Sequence, residues 1–194
     1  GASLSLGANT LTVSGAGILS NTNPLVLGDG SSVLKLSGTN TISGPLSLNA
    51  GAIDVDESST LSSDLTLGGS ATIDVAQGKT LTYSGAALDV GAHILTLRGG
   101  GIWNSASALK LNQTGGLVEF YGISEVNAPV ELTGGGLKAA ESSVLSGVLS
   151  LSGPSTVEVA PQKKLSYQGG SLKLGIHSLE IKGEGEFDFT VPQA

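Results

Sequence analysis

A fixed spacing constrains this chain more than any composition does. Leu4-Ser5-Leu6-Gly7-Ala8-Asn9-Thr10-Leu11-Thr12-Val13-Ser14-Gly15 recurs in outline as Leu88–Gly99 and again as Leu172–Gly183. Gly7, Gly91 and Gly175 are 84 residues apart at each step (91 − 7 and 175 − 91). The register holds between the first two copies without an insertion: Pro45 falls on Pro129, Lys79 on Lys163 and Tyr83 on Tyr167. About a third of the aligned positions are identical, and a fixed long period of this kind specifies a repeat architecture. The units are 3–86, 87–170 and a partial 171–194, read as one solenoid domain spanning 1–194.

Each unit divides into four shorter coils. An apolar-x-apolar pair opens them at Leu4, Leu25, Leu46, Leu65, Leu88, Leu109, Val130, Leu149 and Leu172, in steps of 21, 21, 19 and 23 that then repeat. A second strand follows at Leu11-Val13, Leu34-Leu36, Ile53-Val55, Ile73-Val75, Leu95-Leu97, Val118-Phe120, Val157-Val159 and Leu179-Ile181. A shorter third is marked by Ile18, Ile42, Leu61, Leu81-Tyr83, Ile102, Val126, Leu145 and Leu165-Tyr167. Apolar residues two apart in a strand face the same side. Three such pairs per coil of about 21 residues, broken by Gly, Asn or Ser, predict an all-β fold: a single-stranded parallel β-helix of triangular coils with an aliphatic interior. Parallel strands stack about 4.8 Å apart, so nine starts predict a rod of roughly 40 Å. A β-sandwich needs antiparallel hairpins and gives no reason for an indel-free period.

Composition agrees. Thirty glycines, against three Phe, three Tyr and one Trp, suit short strands and tight turns, and no helical apolar stripe survives the glycines. A net charge of −7 gives no electrostatic support for nucleic-acid binding or for anionic lipid. No apolar run reaches the length of about 18 residues that a membrane-spanning helix needs. The absence of cysteine excludes disulfides, thiolate catalysis and Cys-ligated zinc.

The runs Gly51-Ala52-Ile53-Asp54-Val55, Gly78-Lys79-Thr80-Leu81-Thr82-Tyr83-Ser84-Gly85 and Gly7–Gly15 resemble the repeats of large bacterial surface β-helices, the passenger regions of autotransporter adhesins and filamentous-haemagglutinin-like proteins. The resemblance implies a right-handed helix, secretion to the cell surface or beyond, and a structural or adhesive role. It implies no catalytic residue and no cofactor. The partners it implies are surface molecules or glycans of host or neighbouring cells. With no polar or helical cap at the start, the sequence reads as a slice of a longer array whose open coil edges favour end-to-end self-association. Phe187, Phe189 and Pro192 are the alternative, as the beginning of a terminal cap.

Few residues offer chemistry. His93 and His177 share one repeat position with Asn9, which makes them polar turn residues about 19 Å apart, too far to share a proton or a metal. Asp54, Asp56 and Glu57 form the densest carboxylate cluster and are the Ca²⁺ candidates, and Asp54 and Asp74 are expected one coil apart on one face. The second unit carries Lys138, Ala140 and Glu141 at the cluster's positions, so a site there is private to the first. Trp103 fills a core corner or, with Tyr121 or Tyr83, forms an aromatic platform for sugar. The outward ladders of the first strands (Ser5, Val26, Ser47, Thr66, Asp89 onward) and of the second (Thr12, Lys35, Asp54, Asp74, Thr96, Glu119, Glu158, Glu180) are mixed in size and charge, where an ice-binding solenoid would want a uniform Thr ladder on one face, which argues against ice binding. The expectation is a non-enzymatic stalk or adhesin segment. The alternative is a β-helical protein that binds or degrades polysaccharide.

Overall fold

The computed structural model describes residues 2–189, so Gly1, Thr190, Val191 and the possible cap residue Pro192 lie outside the described residues. All 27 strands pair in parallel and no helix is present among the described residues. Nine strands, from Thr10–Ser14 to Leu179–Lys182, stack into a second face, and nine more, from Ile18–Leu19 to Glu186–Phe189, into a third. The first face is divided in two: four strands from Leu4–Ser5 to Leu65–Leu67, then five from Leu88–Asp89 to Leu172–Lys173. The chain is therefore a parallel β-solenoid, as the periodicity predicts.

Alternation drives the packing. In Leu25–Leu27, Leu46–Leu48 and Leu109–Leu111 the two leucines turn inward while the residue between them faces out. Leu34, Ile53, Ile73, Leu97, Phe120, Ala139 and Val159 lie one above another in register, and all are fully buried. Burying a side chain of the Val, Leu or Phe kind contributes about 1.5–3 kcal/mol, and this stack repeats on all three faces. Polar residues that turn in are satisfied at the corners. Asn40, 1% exposed, donates through Nδ2 to the carbonyls of Val13 (3.0 Å) and Gly38 (2.8 Å), and Ser59 Oγ donates to the same Gly38 carbonyl at 2.9 Å.

Three sequence expectations need correction. The seventh coil has a second-face strand, Gly136–Ala139, which its glycine and alanine hide from an apolar-pair search. On the third face Leu19 and Trp103, not Ile18 and Ile102, point inward; Ile18, in the first coil, is 74% exposed. The second-face ladder also slips by two residues at the fifth and ninth coils. Asp74 lies beside Arg98 rather than Thr96, and Glu158 beside Lys182 rather than Glu180. Two of the extra residues in each 23-residue step lie in the turn that leaves that face, since Val75 to Leu81 is six residues where the paired Val55 to Ser59 is four, so matching the leucines by position gives the wrong neighbour.

A tyrosine hydroxyl enters the first-face ladder at each long step; the face divides at the first, whereas Leu149–Leu151 still pairs with Leu172–Lys173 at the second. Elsewhere a strand-opening N–H donates to the carbonyl preceding the next strand, as Leu46 to Asp64 (3.0 Å) and Val130 to Val148 (2.8 Å). At Leu65 the acceptor is the Tyr83 hydroxyl (3.2 Å), which itself donates to the Ala86 carbonyl at 2.7 Å. Tyr167 repeats the arrangement between the Leu149 N–H (3.0 Å) and the Ser171 carbonyl (3.0 Å). Burial raises the pKa of both tyrosines, so each keeps its proton and can donate. Tyr83→Phe removes the inserted oxygen and leaves the Leu65 N–H and the Ala86 carbonyl without it. The expected cost is about 1–3 kcal/mol, read as a lower urea midpoint at unchanged m.

Candidate functional surfaces

The acidic cluster is built by the second face and the turn that follows it. Asp54 points outward from Ala52–Val55, directly above Lys35 of Val33–Ser37. Lys35 Nζ lies 2.9 Å from Asp54 Oδ2 and 2.9 Å from Asp56 Oδ2, and Ser37 Oγ donates to Asp56 at 3.1 Å. Glu57 turns the other way, to Lys79 Nζ at 2.5 Å, and Glu141 and Lys163 repeat that pair 84 residues on. The three Ca²⁺ candidates therefore serve two separate ammonium groups and do not converge on one point. Among the described residues no group of three or more His, Asp or Glu side chains is arranged to hold a metal ion.

Asp74 does sit beside Asp54, as expected, and the repulsion of that pair is met by protein charges on either side. Lys35 flanks Asp54 below, and Arg98 Nε lies 3.1 Å from Asp74 above. From Lys35 the column reads plus, minus, minus, plus. One column over it continues as Glu119, Lys138, Glu158 and Lys182, with Lys138 Nζ 3.0 Å from Glu119. Lys138 joins this ladder from Gly136–Ala139, the strand without an apolar pair in its sequence. Exposed pairs of this kind contribute little individually, but they fix the ladder's neighbours and discourage sheet stacking.

The hydrogen bond from Lys35 holds the Asp56 carboxyl below the usual aspartate range, and the hydrogen bonds to Asp54 first and Asp56 second raise the Lys35 pKa. A depressed carboxylate pKa stabilises the fold above the unfolded value and loses that effect as pH falls through the folded value. For Asp56 the window lies below about pH 4. In Lys35→Met the Asp56 carboxyl is expected to titrate closer to the ordinary value, followed by the chemical shift of its side-chain carbon. An unchanged midpoint would show that the bridge does not form in solution.

The aromatic candidates are separated. Trp103 is fully buried in Ile102–Ser105 and tilted 36° against Tyr83 at 5.7 Å, so its ring offers no face to a sugar. Tyr121, at the end of Leu117–Tyr121, is 53% exposed and stands apart from both. His93 and His177 occupy the first-to-second-face turns, where their N–H groups close hydrogen bonds to Val90 (3.2 Å) and Leu174 (3.1 Å). This is the turn role expected of them.

No family model, curated protein or solved structure matches this chain. Its surface therefore has to be read from its own geometry. Two depressions, of about 460 and 470 Å³, lie along the corner between the first and second faces. One runs over Gly115, Gly116 and Gly134–Gly136; the other opens where the first face divides, beside Asp89, His93 and Gln113. Both are shallow grooves over glycine-rich turns. Among the described residues, Leu4 of the first coil is 61% exposed, and Leu174, Ile181 and Phe189 of the last are 39%, 47% and 42% exposed.

Proposed function

We propose that this chain is a non-catalytic, load-bearing segment of a bacterial cell-surface or secreted protein, a stalk or adhesin rod that provides rigid reach and a surface for display. The observation that carries the reading is the single core shared by all the coils, ringed by short turns and by ion pairs in which the second-face carboxylates meet lysine or arginine. A core of stacked coils resists bending, and its length scales with copy number. The resemblance to surface β-helices agrees with this reading, and host or neighbouring-cell glycans are the partners it favours.

The test is an activity and display experiment. The full-length protein that contains this chain, produced in a Gram-negative host, is expected to present the segment to antibody on intact cells. The purified chain is expected to leave a polysaccharide panel undegraded. Turnover of any polysaccharide, abolished by Asp54→Ala or Asp74→Ala, would replace the structural reading with the enzymatic one.

The apolar side chains exposed on the first and last coils add a second expectation. Exposed strand edges flanked by apolar side chains pair with other edges. Sedimentation velocity is expected to show concentration-dependent end-to-end oligomers of the chain, suppressed in Leu174→Lys/Ile181→Lys. A concentration-independent monomer would remove self-association from the account.

A further inference from the structure

The third face carries a feature that neither charge ladder has. In the second, third and fourth coils its outward positions are Thr41 and Ser43, then Ser58, Thr60 and Ser62, then Thr80, Thr82 and Ser84. All eight are hydroxyl residues, all reach solvent and none is charged. Thr41, Thr60 and Thr82 stand directly over one another in the strand register. Thr80 N–H donates to Ser58 Oγ at 3.1 Å, which sets the column beside them. In the third column Ser43, Ser62 and Ser84 donate to the carbonyls of Leu19, Ile42 and Leu61 one coil below, at 3.5, 3.2 and 3.5 Å. Their protons are directed back to the sheet and their lone pairs face outward.

The result is a repeating array of oxygens on the third-face strands and the residues flanking them. Its spacing is about 4.8 Å from coil to coil and about 6.6 Å between alternate residues of a strand. Threonine is β-branched and stiff at χ1, and the strands are paired on both sides, so the lattice is held in place before any ligand arrives. The neighbouring charges Lys79 and Glu57 are occupied with each other at 2.5 Å.

We infer that this patch binds an ordered layer of water, and through it the surface of ice. Several points favour that occupant over a saccharide. Small-ligand sites are concave and set directional polar groups among apolar and aromatic ones, whereas the outward residues of this patch are all Ser or Thr, with no aromatic among them. A two-dimensional array of rigid hydroxyls instead suits a partner that is itself periodic in two dimensions. Water bridging such groups is nearly as favourable as a direct hydrogen bond. The second unit supplies an internal contrast. At the positions 84 residues on stand Glu125, Asn127, Ser142, Val144, Ser146, Lys164, Ser166 and Gln168, where charge and an aliphatic side chain interrupt the pattern. The inference does not depend on the stalk reading.

The experiment uses the whole chain, in ice-affinity partitioning on a cold finger and in microscopy of a single ice crystal held just below its melting point. The wild-type protein is expected to be enriched in the growing ice over an inert reporter protein and to facet the crystal. Thr41→Glu/Thr60→Val/Thr80→Lys installs residues that the same fold already carries one unit later. It is expected to lose both effects while its circular dichroism melt is unchanged. Thr60→Val alone, which keeps the side-chain shape, is expected to weaken both. Exclusion of the wild-type protein from ice around an unfaceted disc would overturn the inference, as would equal enrichment of the folded triple variant. Retention on powdered cellulose or chitin in place of ice would also overturn it, assigning the lattice to a polysaccharide.

Discussion

Trp103→Ala is expected to cost about 3–5 kcal/mol of folding stability, the range for removing a fully buried large aromatic. Its indole fills the interior of the fifth coil between Leu81 below and Val126 above, and leans on Tyr83. The coils above and below are fixed by their own ladders and cannot collapse into the space, so the cavity persists. For a chain of this size the loss is on the order of 10 °C in melting temperature, measured by circular dichroism. Trp103→Phe separates shape from polarity. The indole Nε1–H is buried with no hydrogen-bond partner, so its removal relieves a desolvation cost while most of the ring volume stays. That variant is expected to lose less than about 1.5 kcal/mol. A neutral Trp103→Ala would place the ring outside the core and reopen the sugar-platform reading.

The second large effect tests the period itself. Gly69 and Gly153 occupy the same repeat position, and a Cβ at either would overlap a carbonyl oxygen one coil below, that of Asn49 or of Thr133. Because the obstacle is backbone, the ladder must part to admit a side chain. Gly69→Val and Gly153→Val are each expected to cost about 1–3 kcal/mol. Four coils separate them, roughly 19 Å, so the double variant is expected to show the sum. Gly30→Ala is the control: nothing lies within 4 Å of its Cβ position, and a neutral or slightly stabilising effect is expected. Additivity of the pair, measured by urea unfolding, supports equivalent environments in the two units.

The repeat and its inward alternation were legible because both are properties of spacing, and every parallel coil must obey the same spacing to stack. What escaped was local. Arg98 could not be placed beside Asp74 from the leucine pattern, because the longer coil shifts the second face by two residues while leaving the apolar pairs intact. The tyrosine insertion was hidden for a related reason. Tyr83 and Tyr167 fit the alternation as core residues, and nothing in a one-dimensional pattern shows a hydroxyl reaching into the neighbouring ladder. The acidic cluster illustrates a third limit. Asp54, Asp56 and Glu57 are adjacent in sequence, but their partners Lys35 and Lys79 come from the coils below and above, so only the stacked structure shows how the charges are divided. The hydroxyl lattice needed the third-face register, where Ile18 and Ile102 had misdirected the reading.

The central claim is that apolar side chains of successive coils lie over one another along one axis, in parallel. Methyl–methyl nuclear Overhauser contacts in a selectively labelled chain test it most directly. The account expects close contacts for Leu11–Leu34, Leu34–Ile53, Ile53–Ile73 and Ile73–Leu97, pairs whose residue numbers differ by a nearly constant step. Contacts whose residue numbers instead share a constant sum, the mark of antiparallel hairpins, would contradict it.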